Sequence, residues 1–100
     1  MNLYMIRRRS GWPSGAELEK AAARSREVAD TEFPQDIRWI RSYVVPEPDG
    51  TLGTFCVYQA TSDDAIRSHA ERVGMPADEI TAIADTVVIR PDPEPAEASA

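Results

Sequence analysis

Residues 55–76, FCVYQATSDDAIRSHAERVGMP, constrain this chain more than any other stretch. An alternating, β-prone run ends at Thr61 and Ser62, either of which can cap a helix by accepting a free amide of its first turn. Asp63 and Asp64 fall in that first turn, where the helix dipole favours them. Ala65, Ile66, His69, Ala70 and Val73 then recur at helical spacing, and Gly74 followed by Pro76 stops the helix. Strand, cap, helix and stop follow one another with no slack. The same stretch holds the only cysteine, Cys56, and the only histidine, His69, so metal or thiol chemistry would have to draw on these two residues.

The rest of the chain takes its place around this unit. Residues 2–9 predict a first strand with two apolar faces at its start, broken by Ser10-Gly11-Trp12-Pro13. Ser14 with Glu17 is a capping-box pair, and behind it Leu18, Ala21, Ala22, Ser25, Val28 and Ala29 form one stripe of a helix. That alanine-rich stripe permits close approach to a sheet. Pro34 bars the helix from continuing, and residues 37–45, IRWIRSYVV, predict the strongest strand. Glu47-Pro48-Asp49-Gly50-Thr51 suits a three-residue hairpin loop, with Pro48 at the first corner of a type I turn and Gly50 in the left-handed position. Residues 52–60 return as the third strand. The apolar run Thr86-Val87-Val88-Ile89 predicts the fourth, while ADEITAIA before it can be read as a further helical turn. Residues 91–100, rich in proline, acid and small side chains, predict a disordered tail, leaving 1–90 as one domain.

The order β-α-β-β-α-β is the ferredoxin-like plan, an α+β fold in which two helices cover one face of a four-stranded antiparallel sheet. One hundred residues suffice for one small domain whose core sits near the lower limit for independent stability. A net charge of −6 argues against DNA and anionic membranes as partners. The run Arg7-Arg8-Arg9 reads as a solvated strand end. A single cysteine forms no internal disulfide and fits a reducing cytoplasm; residues 1–9 lack the pattern of a signal peptide, and no membrane span is expected.

The hairpin also assigns faces. If Glu47 pairs with Thr51, then Tyr43 opposes Phe55, Arg41 opposes Val57 and Trp39 opposes Gln59 on one face. Ile40, Ser42 and Val44 oppose Tyr58, Cys56 and Thr54 on the other. Arg41 and Gln59 are costly beneath helices, so their face is expected to be the open one. An apolar open face calls for a cover. The expected cover is a second copy, sheet against sheet. The alternative is a ligand cleft walled by the same residues, and a dimeric α+β barrel combines the two.

RWIRSYVV and TFCVYQATSDDAIRSHAERVGMPADEI resemble a family of small bacterial ferredoxin-like proteins, formerly a domain of unknown function, that includes a nickel-binding, nickel-responsive protein. The resemblance spans residues 3–90. It implies a ferredoxin-like fold and nickel, or another divalent transition metal, as the cofactor. Two positions depart from the family pattern. Arg41 stands where histidine is frequent before Ser42-Tyr43, and Gln59 stands where glutamate is frequent after Tyr58. Arginine cannot ligate a metal and glutamine is a poor ligand beside glutamate. His69 and Cys56 match the family pattern and are the candidate metal ligands.

Each candidate also has a plainer reading. His69 on an apolar stripe suits a neutral core imidazole bonded to a hydroxyl or carbonyl, and Cys56 opposite Ser42 suits a small buried residue. No CxxC or HExxH spacing is present, and no nucleophile–base set is identifiable. As a ligand wall, Trp39, Arg41, Tyr43, Tyr58 and Gln59 are the candidates. In a barrel of monooxygenase- or isomerase-like type, Arg41 would anchor a carboxylate or enolate. The sequence therefore leads to a cytoplasmic homodimer that binds metal, with a small-ligand or cofactor-free enzyme barrel as the alternative.

Overall fold

The computed structural model describes residues 1–93. The path of the chain is set by its turns. Glu47 and Gly50 close the hairpin through Glu47 N–H to the Thr51 carbonyl at 2.9 Å and Gly50 N–H to the Glu47 carbonyl at 3.0 Å. Gly50 has φ of 86°, a left-handed value that a side chain would strain. The loop joins β2 (Ile37–Pro46) to β3 (Leu52–Ala60). Before it come β1 (Asn2–Trp12) and α1 (Gly15–Glu32); after it come α2 (Asp63–Val73) and β4 (Glu79–Ala82). The sheet order is β2-β3-β1-β4 with every pair antiparallel, as the ferredoxin-like plan requires.

Both helices begin as their sequences predict. Ser14 accepts from Glu17 N–H, and Ser62 accepts from Ala65 N–H. Gly74, with φ of 84°, closes α2 by donating to the Ala70 carbonyl at 2.8 Å. Ile6, Ala29, Ile37, Cys56, Tyr58, Ala60 and Ile66 form the core between helices and sheet. Among the described residues no helix is long and apolar enough to cross a membrane.

Three expectations are corrected. First, β1 does not end at Arg9. It kinks at Ser10, whose φ is 47°, and carries on until Trp12 pairs with Leu52. Second, the fourth strand is residues 79–82 and not Thr86-Val87-Val88-Ile89; Val87 and Ile89 are each 81% exposed. Only a short connection follows α2. Asp78 N–H reaches the Arg7 carbonyl at 2.9 Å, so the first residues after Ala77 already lie along β1. Third, the hairpin register holds from Pro46 to Arg41 and then slips. Ile40 is left without a partner, and Trp39 opposes Tyr58.

That bulge turns Trp39 to the helix side, where its ring stacks on Tyr58 at 6.1 Å between centroids. Its indole N–H donates to Ser42 Oγ at 2.8 Å. The large ring gains more from burial than Ile40 would, and Ile40 is left exposed. Of the tail expected at 91–100, residues 94–100 lie outside the described residues; residues 91–93 have no regular structure.

Candidate functional site

The two faces of the sheet divide the candidate residues. Arg41, Tyr43 and Gln59 belong to the open face, whereas Trp39, Tyr58, Cys56 and His69 belong to the helix side. On the open face, Asp92 accepts from both Arg41 Nη1 and Tyr43 Oη at 2.7 Å. Those bonds, Tyr43's first, hold the Asp92 carboxyl below its ordinary pKa. Arg41 is thereby paired. Residues 83–92 arch over Leu3, Met5 and Val57 and leave a wide groove.

On the helix side, α1 stands away from the sheet at its N-terminal half. The stripe that reads as an invitation to close packing behaves in two ways. Ser25, Val28 and Ala29 are buried, but Ala21 and Ala22 are too short to reach the strands and line a cavity of about 170 Å³. Trp12, Trp39 and Tyr58 supply its aromatic wall, and Leu18 and Met75 its aliphatic wall. Glu19 and Val44, both exposed, mark the rim.

A file of hydrogen bonds crosses the cavity's sheet side. Trp39 Nε1 donates to Ser42 Oγ at 2.8 Å, Ser42 Oγ to Cys56 Sγ at 3.1 Å, and Cys56 Sγ to Thr54 Oγ1 at 3.2 Å. Cys56 is thus a thiol that both accepts and donates. Tyr58 Oη shares a 3.2 Å hydrogen bond with Ser25 Oγ. Burial, above all, pushes the Tyr58 phenol upward, with Arg8 and the Ser25 bond opposing, so it stays neutral at physiological pH.

His69 is fully enclosed. Its Nε2–H donates to the Ser25 carbonyl at 3.0 Å, which leaves Nδ1 as an unpartnered lone pair. Its ring stands edge-on to Phe33 and tilted against Tyr58, each at 5.8 Å between centroids. Burial lowers the imidazole pKa; the Arg8 charge adds to that, while the Ser25 bond and Glu32 oppose it. The core reading of His69 is the one this geometry resembles.

Do these residues fit nickel? Within one copy they do not. Cys56 Sγ is engaged by Ser42 and Thr54, the two candidate ligands share no hydrogen bond, and Nδ1 lies among aromatic rings. Among the described residues no three or more His, Cys, Asp or Glu come together closely enough to hold a metal ion. The two departures Arg41 and Gln59 remove donors from the open face as well.

The residue that sequence reasoning missed is Arg8. Far from a solvated strand end, it is 1% exposed and lines the cavity. Its neighbours differ: Arg7 pairs with Glu47 at 2.6 Å, and Arg9 pairs with Glu79 at the surface. The signal was available in strand alternation, because Ile6 and Arg8 must share a face.

Comparison with known proteins agrees with this architecture. The fold is similar to that in the crystal structure of SCO4226 from Streptomyces coelicolor A3(2), with a TM-score of 0.67 and 20% identity, over 85% of this chain and 99% of that one. No curated protein matches the chain. The model of the family described as nickel responsive protein SCO4226-like matches residues 4–83, and the chain belongs to that family.

Proposed function

We propose that this chain is a small-ligand-binding protein that works as a homodimer joined through its open sheet face. The observation that carries the binding reading is the cavity beneath α1, about 170 Å³ and walled by Trp12, Trp39 and Tyr58. An apolar cavity of roughly 150 Å³ admits benzene, so a one-ring molecule is the right size. The dimer reading rests on Phe55, a large side chain exposed on the open face outside the groove beneath residues 83–92, and on Ile40 and Tyr43, which stay exposed at that groove. That seam lies across the sheet from the cavity and would leave it accessible. A buried free thiol at Cys56 suits a reducing compartment such as the cytoplasm.

The two tryptophans of the chain both line the cavity, so intrinsic fluorescence reports its occupancy. Millimolar benzyl alcohol should shift the tryptophan emission and raise the melting temperature, as any ligand of the native state does. A protein unmoved in both respects has no such site. Sedimentation velocity at micromolar concentration checks the dimer separately, and a monomer would sink it.

A second reading, nickel binding, is favoured by the family description. With Arg41 and Gln59 in place, the described residues of one copy bring no three donors together, so a nickel site would draw on donors beyond them, such as those of a second copy. Calorimetric titration of nickel into the full chain tests it. Heat above the buffer level would support it; buffer-level heat would end it.

A further inference from the structure

We propose that the cavity under α1 is a seat for a small organic monoanion, a carboxylate on a flat apolar body, with Arg8 as its counter-ion. This rests on the small-ligand reading above and names the chemistry of its ligand.

The guanidinium keeps its charge at any physiological pH. Of its nitrogens, Nη1 donates to the Pro76 carbonyl at 2.6 Å. Nε and Nη2 are buried and have no partner. None of the ion pairs among the described residues includes Arg8. A buried charge with unmet donors is among the costliest states a side chain can hold. The two unmet nitrogens are also the right two. Nε and Nη2 form the side edge of the guanidinium, whose parallel N–H groups match the oxygen spacing of a carboxylate in a bidentate pair.

The neighbours of that edge do not supply an anion. The Tyr58 ring lies 5.8 Å from the guanidinium carbon, and burial keeps its phenol protonated. Cys56 Sγ is engaged by Ser42 Oγ and Thr54 Oγ1. Glu19 sits exposed at the rim. The walls then select the rest of the molecule. Trp12, Trp39 and Tyr58 favour a planar apolar body, and the volume admits about one ring. The net charge of −6 does not oppose this, because a single small anion is recognised by local bonds and not by the long-range field.

The probes are benzoate and its neutral counterpart benzyl alcohol, titrated at constant ionic strength against the full chain, with tryptophan fluorescence and thermal shift as readouts. Wild type should prefer benzoate by about ten-fold or more, the return of a charge-assisted bidentate pair. Arg8→Met should lose that preference, its affinity for benzoate falling to that for benzyl alcohol or below it. Equal affinities in wild type, or tighter benzyl alcohol, would overturn the anion assignment while leaving the cavity reading intact. Failure of both probes would overturn both. Should Arg8→Met not fold, the wild-type ratio alone decides, and Arg8→Lys supplies the variant: it keeps the charge but not the fork, and should lose most of the benzoate preference.

Discussion

Arg8→Met in the unliganded protein should raise stability, an uncommon direction for a change at a residue only 1% exposed. Withdrawing a guanidinium from water costs several kcal/mol even after its surroundings relax. One charge-assisted bond to Pro76 offsets about 1.5–3 kcal/mol of this. The Tyr58 face offsets roughly 0.5–2 kcal/mol more. With Nε and Nη2 unmet, the charge is left near or below balance. Methionine fills similar space with a flexible apolar chain and leaves only the Pro76 carbonyl to find another donor. The expected gain is about 1 kcal/mol, at the low end of the roughly 1–4 kcal/mol seen when buried ionic groups are replaced by apolar ones. With an m-value of about 1 kcal/mol/M, suited to a small domain, the urea midpoint should rise by about 1 M. Far-UV circular dichroism in a buffer free of organic anions measures it. A loss of more than about 1 kcal/mol would refute the reasoning, since it would mean that the guanidinium already has its partners. Benzoate at one fixed concentration should stabilise wild type more than the variant.

Acid sensitivity should trace to His69. Its folded pKa is lowered by burial, so the unfolded chain takes up a proton near pH 6.5 while the folded chain resists. The stability it confers is complete above about pH 6.5 and is lost as pH falls toward the lower folded value. His69→Gln should therefore differ most from wild type at pH 7 and less at pH 5.5 in urea unfolding; a difference that does not change with pH would contradict this. Gly53 is buried where a Cβ would lie 2.6 Å from the Arg8 carbonyl oxygen and 2.8 Å from Arg7 Nη1, as well as against Glu47. Gly53→Ala should break the Arg7–Glu47 pair and cost about 1–3 kcal/mol of overpacking; an effect below about 0.5 kcal/mol in the same assay would show that the hairpin yields freely.

Much of the fold is legible in the sequence because it is written in local chemistry. Ser14 and Ser62 satisfy amides within their own first turns, Gly74 takes a left-handed conformation, and Pro48 to Gly50 shape a loop whose register carries back to Arg41. None of these needs a distant partner, so neighbouring residues suffice to predict them. The candidate site is less legible. Tyr58 and Cys56 are correctly read to the helix side, but Trp39 follows them only because a bulge at Ile40 lets its ring reach Tyr58. Val87, Val88 and Ile89 are better strand formers than residues 79–82, yet the short connection from α2 delivers residues 79–82 to β1 first.

The same division runs through the whole protein. The sequence by itself determined the element order, the caps, the hairpin and the scarcity of cysteine and histidine, all of which depend on residues close along the chain or on simple counts. Only the tertiary structure decided where the space would be. Ala21 and Ala22 close tightly on a flat apolar sheet but leave a cavity beside Trp39, Tyr58 and Arg8. A void arises from what two distant segments fail to fill, and a charge is unpaired only relative to everything packed around it. Neither is a property of any stretch of sequence.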